Sequence, residues 1–310
     1  MSKRKNKNVE KIIVSFIFIG IVIISGIFGI NNSKIQNIAN QIGLGNIANT
    51  TSNNVSENTS KNGNLTVYFI DVGQADSILI SENNQNMLID AGTNDEGQKV
   101  LNFIKEKGIS ELNYVVGTHP HEDHIGGLDD VINSDLQIDK VLMPKIQTNT
   151  KTFEDVLDAI QKKGLKITSP KKGDTYNLGD ANLEVMTESI ENRKNLNLSS
   201  ITLLMTYGNN KFLFMGDAEK ENEQTVKWPK VDVLKVGHHG SKTSSSQDFL
   251  NQTKPKYSVI MAGKGNSYGL PKQEVLDRLN KIESKIYRTD ENGTITVVSN
   301  GEQISITNEK

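Results

Sequence analysis

An α/β fold whose sheet is not all parallel is the class this sequence predicts for residues 65–310, and two observations carry it. Short β-rich apolar runs alternate with stretches of helical period along the whole region. The segment Tyr207-Gly208-Asn209-Asn210-Lys211 lies between two apolar runs and reads as a hairpin, which an all-parallel sheet would not need. Candidate strands are 65–70, 77–80, 87–89, 114–118, 140–143, 183–186, 201–207, 211–215, 231–236, 257–261 and 294–298. Each is an apolar run short enough for a buried strand. Candidate helices are 97–106, 126–133, 152–163, 219–226 and 272–282, where apolar residues recur at helical spacing.

The N-terminal part differs in kind. Residues 1–11 form a basic tail with Lys3, Arg4, Lys5, Lys7 and Lys11, followed by 12–30, an uncharged apolar stretch of 19 residues. As a helix that stretch would span about 28 Å, close to a bilayer core. Basic residues precede it and only Lys34 follows closely, which predicts a transmembrane signal anchor with a cytoplasmic N-terminus and an extracellular domain. A cleaved signal peptide and secretion is the alternative, although no small-x-small site follows Ile30 and there is no cysteine to lipidate. Residues 31–64 are rich in Asn and Ser and poor in aromatics, the composition of a flexible tether.

All five histidines fall in two clusters. The first is Thr118-His119-Pro120-His121-Glu122-Asp123-His124-Ile125-Gly126-Gly127, and the second is Val236-Gly237-His238-His239-Gly240-Ser241. Four nitrogen or oxygen ligands within six residues suit a hydrolytic metal site, and the absence of cysteine leaves only such ligands. The β-rich run 113–117 leads into His119 and His121, so the two can point to one side as one ligand pair. Asp123 and His124, where the chain turns into a helix, can face the same cavity from a second direction and serve a second ion. A surface or helix-capping cluster is the plainer reading, but capping by Asp123 explains none of the three histidines.

With these motifs the chain resembles the metallo-β-lactamase fold superfamily, and within it the extracellular hydrolase domain of the ComEC competence family. The resemblance covers 65–306. It also rests on Phe69-Ile70-Asp71-Val72-Gly73-Gln74-Ala75-Asp76-Ser77, Leu88-Ile89-Asp90-Ala91-Gly92, Asn197-x-x-Ser200 and Phe214-Met215-Gly216-Asp217-Ala218-Glu219. Gly265-Asn266-Ser267-Tyr268-Gly269 and Tyr287-Arg288-Thr289-Asp290 complete the set. The resemblance implies an αββα sandwich of two facing mixed sheets with helices outside. It also implies Asp217 as a bridging aspartate and a histidine of the second cluster on the second ion. His238 is the favoured ligand, leaving His239 to contact substrate or shuttle protons; the reverse assignment stays open. Two departures matter: no histidine lies between His124 and His238, and Gly269-Leu270-Pro271 lacks the histidine that relatives carry before the proline.

The expected site is then His119, His121, Asp123, His124, Asp217 and His238 around two divalent ions, zinc or manganese, with Asp123 also orienting the attacking water. Asp71, Gln74, Asp76, Asp90 and Asn197 are expected to fix the histidines from behind, and Ser241, Asn266 and Tyr268 to meet substrate. A phosphodiester suits such a site, since two cations offset its negative oxygens. The leading expectation is an anchored phosphodiesterase or DNase. Hydrolysis of a small ester, lactone or cell-wall phosphodiester is the alternative, and a non-catalytic surface binding module is a third reading.

Charge is the counterweight to a nucleic-acid partner. Residues 1–63 hold seven basic and two acidic residues, a net of +5, so a whole-chain net of −2 leaves −7 for 64–310. Nonspecific affinity for DNA comes mainly from basic groups on phosphates, so an acidic domain must recruit its partner locally. Lys140, Lys145, Lys151, Lys162, Lys163, Lys166, Lys171 and Lys172 form a basic stretch that lies either beside the cleft or on solvated surface. No second apolar span follows 12–30, so the chain cannot itself conduct DNA.

Overall fold

The computed structural model describes residues 64–310, which form fifteen strands in two mixed sheets flanked by helices. The predicted basic tail, membrane span and nearly all of the tether lie outside the described residues. Among the described residues no helix is long and apolar enough to cross a membrane.

The first sheet is built from β1 (Leu65–Phe69), β2 (Ser77–Glu82), β3 (Gln85–Ala91), β4 (Glu111–Val116), β5 (Gln137–Leu142), β6 (Ile167–Thr168), β14 (Ile295–Ser299) and β15 (Ile304–Asn308). Its order is β15-β14-β1-β2-β3-β4-β5-β6, antiparallel as far as β3 and parallel from β3 to β6. The second sheet contains β7 (Thr175–Leu178), β8 (Ala181–Val185), β9 (Leu203–Tyr207), β10 (Asn210–Phe214), β11 (Val233–Lys235), β12 (Tyr257–Ile260) and β13 (Lys285–Arg288). It runs β13-β12-β11-β10-β9-β8-β7, parallel from β10 to β13. The expected hairpin is present, with Tyr207 paired to Asn210 across Gly208-Asn209.

Alternation along the strands sorts residues between layers. Val67, Phe69, Ile78 and Ile80 of the first sheet share one core with Leu203, Met205, Phe212, Phe214 and Val233 of the second. The opposite face of the first sheet is covered by α1 (Gly97–Glu106), α3 (Leu128–Asn133) and α4 (Lys151–Lys162). On α1, Val100, Leu101 and Ile104 are buried at helical spacing, each contributing about 1.5–3 kcal/mol by leaving water. The N-terminus of α4 is capped by Thr150, whose hydroxyl accepts from Phe153 N at 3.3 Å. The second sheet is covered by Trp228, α5 (Gln247–Thr253) and α6 (Gln273–Lys281). These four layers are the αββα sandwich expected from the sequence.

Two differences concern the region that positions the site. The helix expected over 126–133 begins earlier, as α2 (Glu122–Ile125), and restarts as α3. The two glycines between them are required by close approach. A Cβ on Gly126 would lie 2.3 Å from Asn94 N, and one on Gly127 would lie 2.4 Å from the Ala91 carbonyl oxygen. That contact presses α2 against the loop after β3, and so fixes Asp123 and His124 relative to Asp90.

Candidate metal centre

The histidines and Asp217 converge beyond the carboxyl ends of β4, β10 and β11, the usual location for ligands in sheets with parallel strands. Asp217 is at the centre, nearly fully buried, and its two oxygens face different partners. Its Oδ1 lies 3.2 Å from His124 Nε2 and 3.6 Å from His239 Nε2. Its Oδ2 lies 3.9 Å from His119 Nε2 and 3.6 Å from His238 Nε2. On that second side His121 Nδ1 is 3.0 Å from His119 Nε2.

The first side is the tighter. One ligand atom each from Asp123, His124, Asp217 and His239 lie within 4.8 Å of one another. Asp123 Oδ2 is 3.2 Å from His239 Nε2 and 3.9 Å from His124 Nε2. Three of these atoms, His124 Nε2, His239 Nε2 and Asp217 Oδ1, are buried and make no hydrogen bond within the protein. Unpaired buried polar atoms are costly, and three that converge on one point fit a cation. The donor set of imidazole nitrogens and carboxylate oxygens suits a divalent metal ion.

The geometry reverses the preference between the adjacent histidines. His239, expected to be the substrate-contacting partner, is the one grouped with Asp123 and His124. His238, the favoured ligand from the sequence, is about a quarter exposed and faces Glu219, with Nδ1 3.3 Å from Oε1. Both residues have positive φ, 51° each, with His238 N donating to the Gly216 carbonyl and Ser241 N to the His238 carbonyl. That left-handed pair turns consecutive side chains to different sides of Asp217. Non-glycine residues in this conformation are strained, and such strain concentrates at functional sites.

Behind the histidines, Asp90 holds His124: its Oδ2 is 2.8 Å from His124 Nδ1 and accepts from Thr118 Oγ1 at 2.7 Å, while Oδ1 accepts from Thr118 N. Thr118 Oγ1 is in turn 3.1 Å from His119 Nδ1. Asp76 Oδ1 is 3.3 Å from His239 Nδ1, which also lies 2.9 Å from the Met261 carbonyl. Asn197 Nδ2 lies 3.3 Å from the His238 ring and 3.4 Å from Glu219 Oε1. Thr118 and Glu219 were missed in the sequence. Both sit within two residues of a predicted ligand, which was the available signal.

Other expected positions fall elsewhere. Asp71 meets the C-terminal Lys310 at 3.5 Å and accepts from Gly73 N, away from every histidine. Gln74 faces the cavity, but its Oε1 accepts from Gly263 N rather than holding a histidine. Asn266 latches its own loop through Gly263 and Leu270, so its amide is already used. Ser241 Oγ lies 3.1 Å from Thr243 Oγ1. Tyr268, 69% exposed, does line the cavity of about 550 Å³ in front of the metal centre, with Gln74, Thr93, His121, Glu122, Asp123, Asp217, His238, His239 and Leu270. None of the predicted basic stretch lines it. Lys145 borders a separate groove of about 600 Å³, and Lys140 lies over the Tyr114 and Tyr176 rings.

The electrostatics divide the histidines. Burial, together with His124 beside it, holds His119 well below the ordinary imidazole value, and burial lowers His121 as well. Burial, the largest single influence, would lower His124 and His239, but the surrounding carboxylates together outweigh it: Asp217, Asp90 and Asp123 push His124 well up, and Asp217, Asp76 and Asp123 raise His239 to about 10. The same pairings hold Asp217 well below the carboxylate range against its burial, and Asp123 is lowered too. Glu219 falls to about 2 through its contact with His238.

This fold and site define a metallo-hydrolase class. Residues 70–264 match the metallo-beta-lactamase superfamily model, and the chain belongs to that superfamily, whose members are generally metal-dependent hydrolases. The fold binds metal ions, often two. Within it the chain is similar to competence proteins: it is 36% identical over 251 residues to ComE operon protein 3 of Bacillus subtilis, covering 74% of this chain and 32% of that protein. It is 27% identical over 235 residues to Recombination protein 2 of Haemophilus influenzae, covering 74% and 28%. The chain thus spans about a third of the length of these relatives. Among solved structures, the CmlA beta-hydroxylase E377D mutant shares the fold at a TM-score of 0.50 and 12% identity, covering 86% of this chain and 60% of that one.

Proposed function

We propose that this chain is a two-metal phosphodiesterase, with a nucleic acid strand as its foremost substrate, carried outside the cell on a membrane anchor at 12–30. The observation that carries it is Asp217, whose two carboxylate oxygens face two separate sets of histidines. Asp123, His124, Asp217 and His239 would hold one ion, and His119, His121 and Asp217 the other, with His238 beside it. When bound, the pair of ions supplies positive charge for a phosphodiester oxygen and lowers the pKa of water to near neutrality.

The chain's own residues do the rest. Asp123, a third exposed at the cavity floor, can accept a hydrogen bond from the attacking water and aim it. His238, backed by Glu219, faces the cavity and can donate to a substrate oxygen. Tyr268 at the rim offers an aromatic face to a base. The names of the competence relatives add support for DNA. The absence of Lys or Arg among the lining residues favours, as a second reading, a small neutral ester or lactone.

The full-length protein, loaded with zinc or manganese, is expected to hydrolyse bis-p-nitrophenyl phosphate and single-stranded DNA and to leave lactams intact. Turnover of p-nitrophenyl acetate with none of either phosphodiester would overturn the reading in favour of the ester hydrolase.

Metal uptake carries a pH dependence of fixed sign. His124 and His239, raised above the ordinary value, hold protons at neutral pH in the metal-free protein, so an ion at their Nε2 atoms must displace them. Affinity of that ion is therefore expected to climb from about pH 6 to about pH 9, approaching tenfold per unit for each proton displaced. The ion at His119 and His121, both lowered, should change little over the same range. Chelator-competition titrations across that range check it; affinities flat with pH for both ions would contradict it.

A further inference from the structure

Lys235 stands in the middle of the second sheet, on β11 between β10 and β12, with a side chain that is fully buried. Alternation puts it on the same face as Val233, so its stem enters the apolar layer between the two sheets. A lysine is almost never fully buried unless paired, and this one has a partner from the opposite sheet. Its Nζ lies 2.7 Å from Asp76 Oδ2, immediately before β2, and donates to the Val236 carbonyl at 2.9 Å.

Asp76 does not end there. Its Oδ1, buried and without a hydrogen bond, lies 3.3 Å from His239 Nδ1, and its Oδ2 lies 3.9 Å from His124 Nδ1, so both are contacts of charge. These are the rear faces of the two rings whose Nε2 atoms meet Asp217. The loop before β2 is tied to the same place through its backbone: Asp76 N donates to the Asp123 carbonyl, and Gly92 N donates to the Asp76 carbonyl. Asp76, Asp90 and His124 also form a close cluster with ligand-type atoms. A second cation has no need to enter it, because Lys235 already supplies the positive charge and His124 Nδ1 lies 2.8 Å from Asp90.

For folding alone, a buried ion pair is a poor choice, since an apolar pair of similar volume is often as stable or more so. The layer around Lys235 is otherwise made of Val233, Phe214 and Val259, where a methionine would fit the chemistry better. We infer that Lys235 is a positioning residue of the metal centre: it fixes the Asp76 carboxylate behind the rear faces of His239 and His124, where its charge favours the ring orientations that present both Nε2 atoms to one ion. This rests on the two-metal reading above and extends it to a residue that touches neither ion nor substrate.

The test uses full-length protein and three variants, Lys235→Met, Asp76→Asn and the double variant carrying both. Metal content is measured by elemental analysis, zinc dissociation constants by chelator competition, and ligand geometry by the visible spectrum of cobalt-loaded protein. Thermal midpoints of the metal-free proteins report the fold. Each single variant is expected to keep the His119/His121 ion and to bind the other about tenfold or more weakly, with a changed cobalt spectrum. The double variant leaves no unpaired charge, so its metal-free midpoint should recover towards wild type while the weak binding and altered spectrum remain. Recovery of wild-type affinity and spectrum in the double variant would make the pair a matter of folding and overturn the inference, as would single variants that bind both ions normally. Should Lys235→Met fail to fold, Asp76→Asn and the double variant decide by the same criteria. Wild-type protein that takes up no ion would overturn the two-metal reading and this inference with it; normal wild-type uptake with unaltered variants would overturn this inference alone.

Discussion

Asp217→Asn is expected to reduce phosphodiester turnover by roughly a thousandfold or more and to strip both ions from the protein. The substitution keeps the size of the side chain but removes the negative charge that faces four imidazoles. It also replaces one oxygen by an NH₂ group, which cannot act as a ligand. Whichever way the amide turns, one of the two histidine sets loses its shared acceptor, and the other keeps only a neutral oxygen. Loss of that charge also releases His124 and His239, since Asp217 is the strongest influence raising both. Elemental analysis after metal-supplemented purification should find less than one ion per chain. Two retained ions with near-normal turnover would remove Asp217 from its shared position.

The convergence of the first histidine cluster was legible because its side chains are local in the sequence. His-x-His-x-Asp-His places four candidate ligands on one strand-to-helix connection, and the close approach of Gly126 and Gly127 holds that connection against the loop after β3. The choice between His238 and His239 was not legible, because it depends on two successive residues adopting positive φ, and neither histidine advertises that conformation. Lys235 was hidden for a related reason. In Val233-Leu234-Lys235-Val236 a single lysine looks like the polar side of a strand, and only the opposing sheet reveals that it is buried. Asp71 misled in the other direction. It shares the motif with Asp76, but the strand connection turns it toward the C-terminus, five residues away from the carboxylate that reaches His239.

The strands show the same division. Four were missed, β6, β7, β13 and β15, and these are the edge strands of the two sheets. An edge strand packs on one neighbour and is open to water, so it needs fewer apolar residues and carries charge that protects it from pairing with other chains. Lys285-Ile286-Tyr287-Arg288 and Ile304-Ser305-Ile306-Thr307-Asn308 have that character. The interior strands are packed on both faces, which is why their apolar runs stood out.

Asp123→Asn separates chemistry from metal retention, and it is the sharper of the two carboxylate tests. Asp123 is the most exposed member of its group at the cavity, whereas His124, Asp217 and His239 are buried. An asparagine can still offer its amide oxygen as a weak ligand, so the three buried partners should keep the ion at moderate cost in affinity. What it cannot offer is a full negative charge 3.2 Å from His239 Nε2 or a strong acceptor for the attacking water. Turnover is therefore expected to fall by roughly a hundredfold or more, mainly in kcat, while elemental analysis still finds more than one ion per chain. A purely ligating role would show the opposite pattern, with lost metal and turnover restored by excess zinc or manganese. Restoration to near wild-type rates in metal-saturated assays would assign Asp123 to holding the ion and leave the orientation of water to another group.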